Sequence, residues 1–291
     1  MDFIEYYEEK IDSIDKLRRI IDSLARRERV FAWRGQKDSS WSLHSKLYRR
    51  LINVNTVRVR ERSLQREEDN IIERLRSWGL HNQPGHGRLS YLNQLAMLQH
   101  YGAPTRLIDV SFNAWVAVWF AVERGADDAD ARLFAFDVTN TMLNSEPRGK
   151  KGGYWNVIRN WEDSLGCPWA DFPEWETTFF AWKPPAINRR IFSQNAGFLL
   201  GGVPKSSSKK PYPKGKGKYW KIEDVAKSCS ISIRPHVYGA IRGRPPDFSM
   251  YTFKINSKIK KPLRDMLRRV FGYDYSVMYP DYSGFSEHGL K

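Results

Sequence analysis

The sequence predicts an α+β fold in one large domain over residues 1–291, with a mixed or antiparallel central sheet and flanking helices. Three observations carry that expectation. Helical and strand-like hydrophobic periodicities alternate irregularly along the chain. No internal repeat is visible. Hydrophobic residues make up 41% of 291, enough for a full core and too many for a disordered chain.

The elements follow in order. Ile4, Leu17, Ile20, Ile21 and Leu24 recur at helical spacing and predict a helix over 3–28. VFAWRGQ, Val30 to Gln36, is β-branched and aromatic, alternates and ends at glycine, so it reads as a strand. A charged helix is expected over 56–78, with Leu64, Ile71, Ile72 and Leu75 on one face. HNQPGHG, His81 to Gly87, reads as a loop. Ser90 is a candidate N-cap for a helix marked by Leu92, Leu95 and Leu98, which stops at Gly102. TRLIDV, after Pro104, looks like a buried strand. Ser111 or Asn113 then caps a helix whose Trp115, Val118, Trp119 and Val122 form one apolar stripe. LFAFDV, Leu133 to Val138, is a further strand, and 144–185 is tryptophan-rich and irregular. RRIFSQNAGFLLGG, Arg189 to Gly202, reads as a helix end followed by a strand. Between Val203 and Lys221 there are seven lysines and no acid, the composition of a mobile basic loop. SISIRP and MYTFKI are strand candidates, and Pro262 to Phe271 a short basic helix.

Lys and Arg number 48 against 33 Asp and Glu, a net charge of +15 and a pI near 9.7. Such an excess favours a polyanionic partner, nucleic acid above all. Cys167 and Cys229 lack any CxxC spacing, which argues against a disulfide scaffold or a cysteine zinc site. The six histidines form no HExxH or comparable ligand spacing, so no metal is expected. GxxxxGK[ST] and GxSxG are absent, so Walker-type nucleotide binding and serine hydrolysis lack support. The opening MDFIEYYEEKID has no basic-then-apolar signal, and no run of about 18 apolar residues occurs. The expected compartment is the cytoplasm, with no membrane partner.

What remains for chemistry are arginines beside glycines. Arg34 ends a strand and could present its planar fork to a phosphate or a carboxylate, while Gly35 would let the backbone approach a ligand. Arg106 and Asp109 lie three apart on one strand and face opposite sides of it; one could point at a site while the other braces the turn. His100 sits in the last turn of its helix, where the dipole favours a charged imidazole. Each alone is more often a structural hydrogen-bonder than a catalyst.

FAWRGQ with Trp41 and Leu43, then QHYGAPTRLIDVSFNAWVAVWFA, then Arg190 with QNAGF at 194–198, then YPDYSGF, together resemble the FRG domain family over residues 30–285. Its Phe-Arg-Gly triplet reads Trp33-Arg34-Gly35 here. The resemblance implies a bacterial or phage-encoded protein of the kind found in toxin–antitoxin and anti-phage loci. Its motif order is similar to that of ADP-ribosyltransferases, which implies a sheet of that type, NAD as co-substrate and no metal. On that resemblance Arg34 would hold the NAD diphosphate, and Thr105, with Arg106 beside it, would shape the nicotinamide pocket. Gln194 stands where a Glu is usual, or the acid moves to Asp109, Asp281 or Glu287. The expected NAD contacts are Trp33, Arg34, Gly35, His100, Tyr101 and Arg106, with Trp119 a further candidate to stack the ring. Lys209, Lys210, Lys214, Lys216 and Lys218 would guide an RNA acceptor, and a neutralising antitoxin protein is the implied partner. The competing readings are a transferase onto protein, an NAD glycohydrolase, or a non-catalytic nucleic-acid-binding defence module.

Overall fold

The computed structural model describes residues 2–54, 58–83, 87–143, 175–185, 189–205, 212–215, 217–239 and 249–290. Eight strands form its central sheet: β1 (Glu9–Ile11), β2 (Phe31–Gln36), β3 (Ile108–Ser111), β4 (Ala131–Asp137), β5 (Phe179–Trp182), β6 (Ala196–Gly201), β7 (Arg234–Pro235) and β8 (Ser249–Ile255). Their order is β1-β8-β4-β2-β3-β6-β5, with β7 beside the start of β8. β1 and β7 run parallel to β8, and every other pairing is antiparallel. The sheet is therefore mixed and the class α+β, as expected.

Helices cover both faces. They are α1 (Ile14–Ala25), α2 (Lys46–Val54), α3 (Glu61–Ser77), α4 (Tyr91–His100), α5 (Ala114–Val122), α6 (Arg189–Ser193), α7 (Ile222–Ser228) and α8 (Ser257–Phe271). Alternation along the strands sorts the core. Phe31 and Trp33 of β2 with Leu133 and Ala135 of β4 pack against α1, α5 and α8. Ala32, Phe134 and Phe136 turn the other way, onto Phe179, Leu199, Val225 and Ile231. No helix among the described residues is long and apolar enough to cross a membrane.

Several boundaries differ from expectation. The helix predicted over 3–28 begins only at Ile14, where the Ser13 side chain accepts the Lys16 amide. Residues before it form a 3₁₀ turn and then β1, because Glu9–Ile11 pair with Phe253–Ile255 at the sheet edge. Helix α5 is capped by Asn113, and it is buried on nearly every side rather than along one stripe; Trp115 of the expected stripe is only half-buried. The 81–87 stretch, read as loop, flanks a short pairing of Asn82 with Arg88. Phe179–Trp182 is a strand inside the stretch read as irregular; residues 144–174 lie outside the described part. The basic tract, read as a mobile loop, contains an antiparallel pairing of Pro213–Gly215 with Lys218–Tyr219; residues 206–211 and 216 of it lie outside the described part. Helices α2 and α7 were not anticipated, and α8 starts at Ser257, five residues before Pro262.

Candidate functional site

Strand β2 pairs with β4 from Phe31 to Gln36 but with β3 only at Trp33 and Ser111. Beyond Trp33 the two strands part, and β3 continues alongside β6. A cavity of about 420 Å³ fills the opening. That lies within the range of small-molecule sites. Its walls are Arg34 from β2, Lys46 and Arg49 from α2, His100 from the end of α4, Asp109 and Ser111 from β3, Arg190 and Gln194 from α6 and the following turn, and Tyr279.

Arg34 sits at the base of this opening. Its Nη1 donates to the Asp109 carbonyl at 2.6 Å and lies 3.9 Å from the Asp109 carboxylate. Its buried Nε finds no partner among the described residues. Burial holds the guanidinium below its ordinary value, with Asp109 pulling it back up and Arg49 pushing it further down. An arginine stays charged regardless, so the fork is a poorly solvated cation with donor capacity to spare.

Four cations, Arg34, Lys46, Arg49 and Arg190, line the cleft, and among the described residues Asp109 is the only carboxylate that does. Asp109 is held by the Gln99 amide at 3.0 Å, and its side chain is 63% exposed. Arg190 is forked onto Asp281 at 2.5 and 2.7 Å and lies 5.1 Å above the Tyr279 ring. The Lys46 ammonium caps the Gly102 carbonyl, and Arg49 donates to the His44 carbonyl at 3.0 Å. Burial lowers His44 to about 4, and it also lowers His100, with Arg190 adding to the effect. Burial and the neighbouring Arg190 thus disfavour the cationic form of His100, with Asp281 pulling the other way, a direction opposite to the helix-dipole expectation.

The predicted site residues divide. Arg34, His100, Asp109 and Gln194 meet in the cleft. Trp33 also borders it, but its ring is buried against Phe31 and α5. Gly35 borders it too, yet its role is packing: a Cβ there would stand 1.9 Å from the Ala117 carbonyl oxygen and 2.6 Å from the Ala121 nitrogen. The expected approach of ligand to backbone is an approach of helix to strand.

Thr105 and Arg106 do not line the cleft. Thr105 is buried, donates to the Gln99 side chain and accepts the Leu107 amide at 3.2 Å. Arg106 is 2% exposed, ion-paired with Glu61 and Glu68, and packed 5.2 Å over Trp175. Arg106 lies at a bend before β3 rather than on the strand, and it braces that corner while Asp109, on the strand, lines the cleft. Tyr101 is 78% exposed and does not line the cleft, although its ring meets that of His100 edge-on at 5.0 Å, and Trp119 is core. Asp281 is committed to Arg190, and Glu287 lines a different cavity. Gln194 spends its amide on the Met278 carbonyl at 2.7 Å, which fixes the turn that carries Tyr279.

Of the five lysines, Lys209, Lys210 and Lys216 lie outside the described residues. Lys214 stacks 4.0 Å over Trp220, and Lys218 is exposed. Neither lines the cleft. The cleft residues that sequence reasoning missed are Lys46, Arg49, Ser111 as a wall, Arg190 and Tyr279. Arg190, Ser111 and Tyr279 stood inside stretches that carry the resemblance, without a site role; Lys46 and Arg49 had no signal. Among the described residues no cluster of three or more His, Cys, Asp or Glu is placed to hold a metal ion.

The FRG domain profile matches residues 29–130. No curated protein and no solved structure matches the chain. The FRG match contains β2, α2, α4, β3 and α5, hence Arg34, Lys46, Arg49, His100 and Asp109. It stops at 130, short of the resemblance traced to 285. The opposite wall of the cleft, Arg190, Gln194 and Tyr279, stands outside the FRG match.

Proposed function

We propose that the cleft binds NAD and transfers its ADP-ribose to nucleic acid, with RNA as the acceptor. The observation that supports this reading is the parting of β2 from β3 at Arg34, which leaves a forked, poorly solvated cation at the base of a cavity. Such a fork suits a diphosphate better than a point charge does. The parted sheet is read here as the ADP-ribosyltransferase-like form that the motif order implies.

The reaction breaks the bond between the nicotinamide nitrogen and ribose C1′, and the bonding pair leaves with nicotinamide. An acceptor oxygen or nitrogen then bonds to C1′ and loses its proton. On this reading Arg34, with Arg49 and Lys46 at the mouth, holds the phosphates. Asp109 balances positive charge on the ribose, and Tyr279 offers a ring face. Position and fixed charge carry most of such a reaction, and little acid–base machinery is needed. Modification of cellular RNA is harmful to its host, so the reading includes a toxin role and a neutralising partner protein.

One observation favours a second reading. Asp109, the cleft carboxylate, is mostly exposed, whereas a carboxylate that stabilises charge acts best when water is excluded. A cationic cleft without a buried acid also fits a non-catalytic phosphate clamp in a nucleic-acid-binding module. Incubation with NAD labelled in the adenosine portion, plus total cell RNA, separates the readings. Nicotinamide release with label in RNA is the expected result. Label in protein means a protein-directed transferase, and release without label means a glycohydrolase. Salt-dependent RNA binding with intact NAD overturns the enzyme and leaves the clamp.

A further inference from the structure

The wall that Tyr279 gives to the cleft has a second side. There a groove of about 680 Å³ is lined by Arg189, Tyr275, Tyr279, Tyr282, Phe285 and His288. Its floor is stacked rings: the His288 imidazole lies nearly parallel to Tyr275 and Tyr279, with centroids 4.5 and 4.6 Å away. Its rim is unusually bare. Tyr282 is 95% exposed and Phe285 60%. Large exposed rings grouped at one place mark an interaction surface rather than ordinary scatter.

The backbone that carries these rings is held. Asp281 accepts the Gly284 amide at 2.8 Å while it grips Arg190, so the corner that carries Tyr282 is tied to the cleft wall. Gly284 packs against the backbone of Tyr279, where a Cβ would meet its carbonyl oxygen at 2.2 Å. A fixed backbone and a stacked floor leave only the rim side chains to be ordered when a flat ligand stacks on them. The carboxylate that lines the groove, Asp281, is neutralised by Arg190, which leaves the exposed Arg189 as the charge there; Lys46 and Arg49 are exposed at the cleft, in a chain of net charge +15.

We propose that this groove seats the bases of single-stranded nucleic acid, with its backbone along Arg189 and its reactive nucleotide turned over Tyr279 into the cleft. This rests on the transferase reading for the identity of the acceptor, but the binding it requires does not depend on NAD. Aromatic faces beside cationic side chains are what an unpaired strand needs, because bases stack on the rings and phosphates meet the charges. A duplex keeps its base faces to itself and gains only the charge term. An apolar peptide would fill the groove without using the cationic rim.

The test is the affinity of a fluorescent oligouridylate of about twelve nucleotides, measured by anisotropy without NAD. Tyr282→Ala and Phe285→Ala should each weaken binding at least about fivefold, the scale of one lost stacking contact. Tyr282→Trp should bind like the parent, and so should Trp78→Ala, which removes an equally bare ring at the end of α3. A duplex of the same length should compete less well than the single strand. Alanine variants that bind like the parent, or a duplex that competes equally, overturn the groove. The two ideas fail separately. Intact NAD with ring-dependent oligouridylate binding sinks the transferase and keeps the groove, whereas NAD cleavage with ring-indifferent binding sinks the groove alone.

Discussion

Arg34 and Arg106 show how one residue type takes two jobs in one fold. Arg34 keeps donor capacity toward the cleft, whereas Arg106 is committed to Glu61 and Glu68. Arg34→Lys keeps the charge and loses the fork. It should weaken NAD binding at least tenfold by calorimetry, with little change in Tm; equal affinity would remove the diphosphate role. Arg106→Ala instead leaves two buried carboxylates short of their counter-charge. Burial alone would raise Glu61, yet Arg106, the Trp175 indole and the Val203 amide together hold it below its ordinary value. Removing one partner of a buried pair costs about 3–5 kcal/mol, or a Tm lower by roughly 10 °C for a chain this size. An Arg106→Ala protein with an unchanged Tm would refute the bracing role. The motif around these residues was legible, but which of Arg106 and Asp109 faces the cleft was not, because Arg106 lies at a bend before the strand, where alternation says nothing of direction. His44 had no signal at all. Its imidazole is lowered to about 4 by burial, so the folded state takes its proton later than the unfolded state does. Its contribution is present above about pH 6.5 and is lost as pH falls toward 4, at most about 3 kcal/mol. Urea midpoints measured across that window should slope less in His44→Gln than in the parent.

At the scale of elements, the contact that sets the cleft is α5 against β2. Gly35 allows it, since the helix backbone occupies the space of a side chain. Gly35→Ala should force the two apart, lowering soluble yield and Tm sharply even though only a methyl is added. A stable Gly35→Ala protein of normal Tm would show that the helix shifts at no cost. Strand β2 was readable because its apolar positions alternate and a glycine ends it. Strand β5 was not, because FFAW is apolar throughout and its neighbours are tryptophan-rich, so period alone could not separate it from irregular core. The amino-terminal helix was overextended for the opposite reason. Ile4 fits the helical period of Leu17–Leu24, yet it packs in a core cluster ahead of a 3₁₀ turn, and the following Glu9–Ile11 pair at a sheet edge whose partner lies near the far end of the sequence. Arg190 and Tyr279 stood in stretches that carry the resemblance, but that they form one cleft wall was out of reach for the same cause: only tertiary contact, through Asp281 and Met278, brings those segments together.

For the whole molecule the net charge of +15 is the property to test. Changing Lys209, Lys210, Lys214, Lys216 and Lys218 to Ser should flatten the log–log salt dependence of RNA affinity. Each lost phosphate contact would remove roughly 0.7 from that slope for a single strand. Lys214 already rests on Trp220, so the change should fall short of five contacts. Identical slopes would clear the tract of any part in binding, and the charge lining the cleft would have to account for it. The strand order has a different consequence, in the time the chain takes to be made. β4 is central, yet one of its neighbours, β8, is synthesised about a hundred residues later. At the usual pace of translation that is a delay on the order of ten seconds. Through it the growing chain carries Ala131–Asp137 with one edge unpaired, a template for other strands. A nascent chain of this design needs shelter on the ribosome until about its last seventh emerges, and a message cut before Ser249 yields an aggregate, not a smaller working protein.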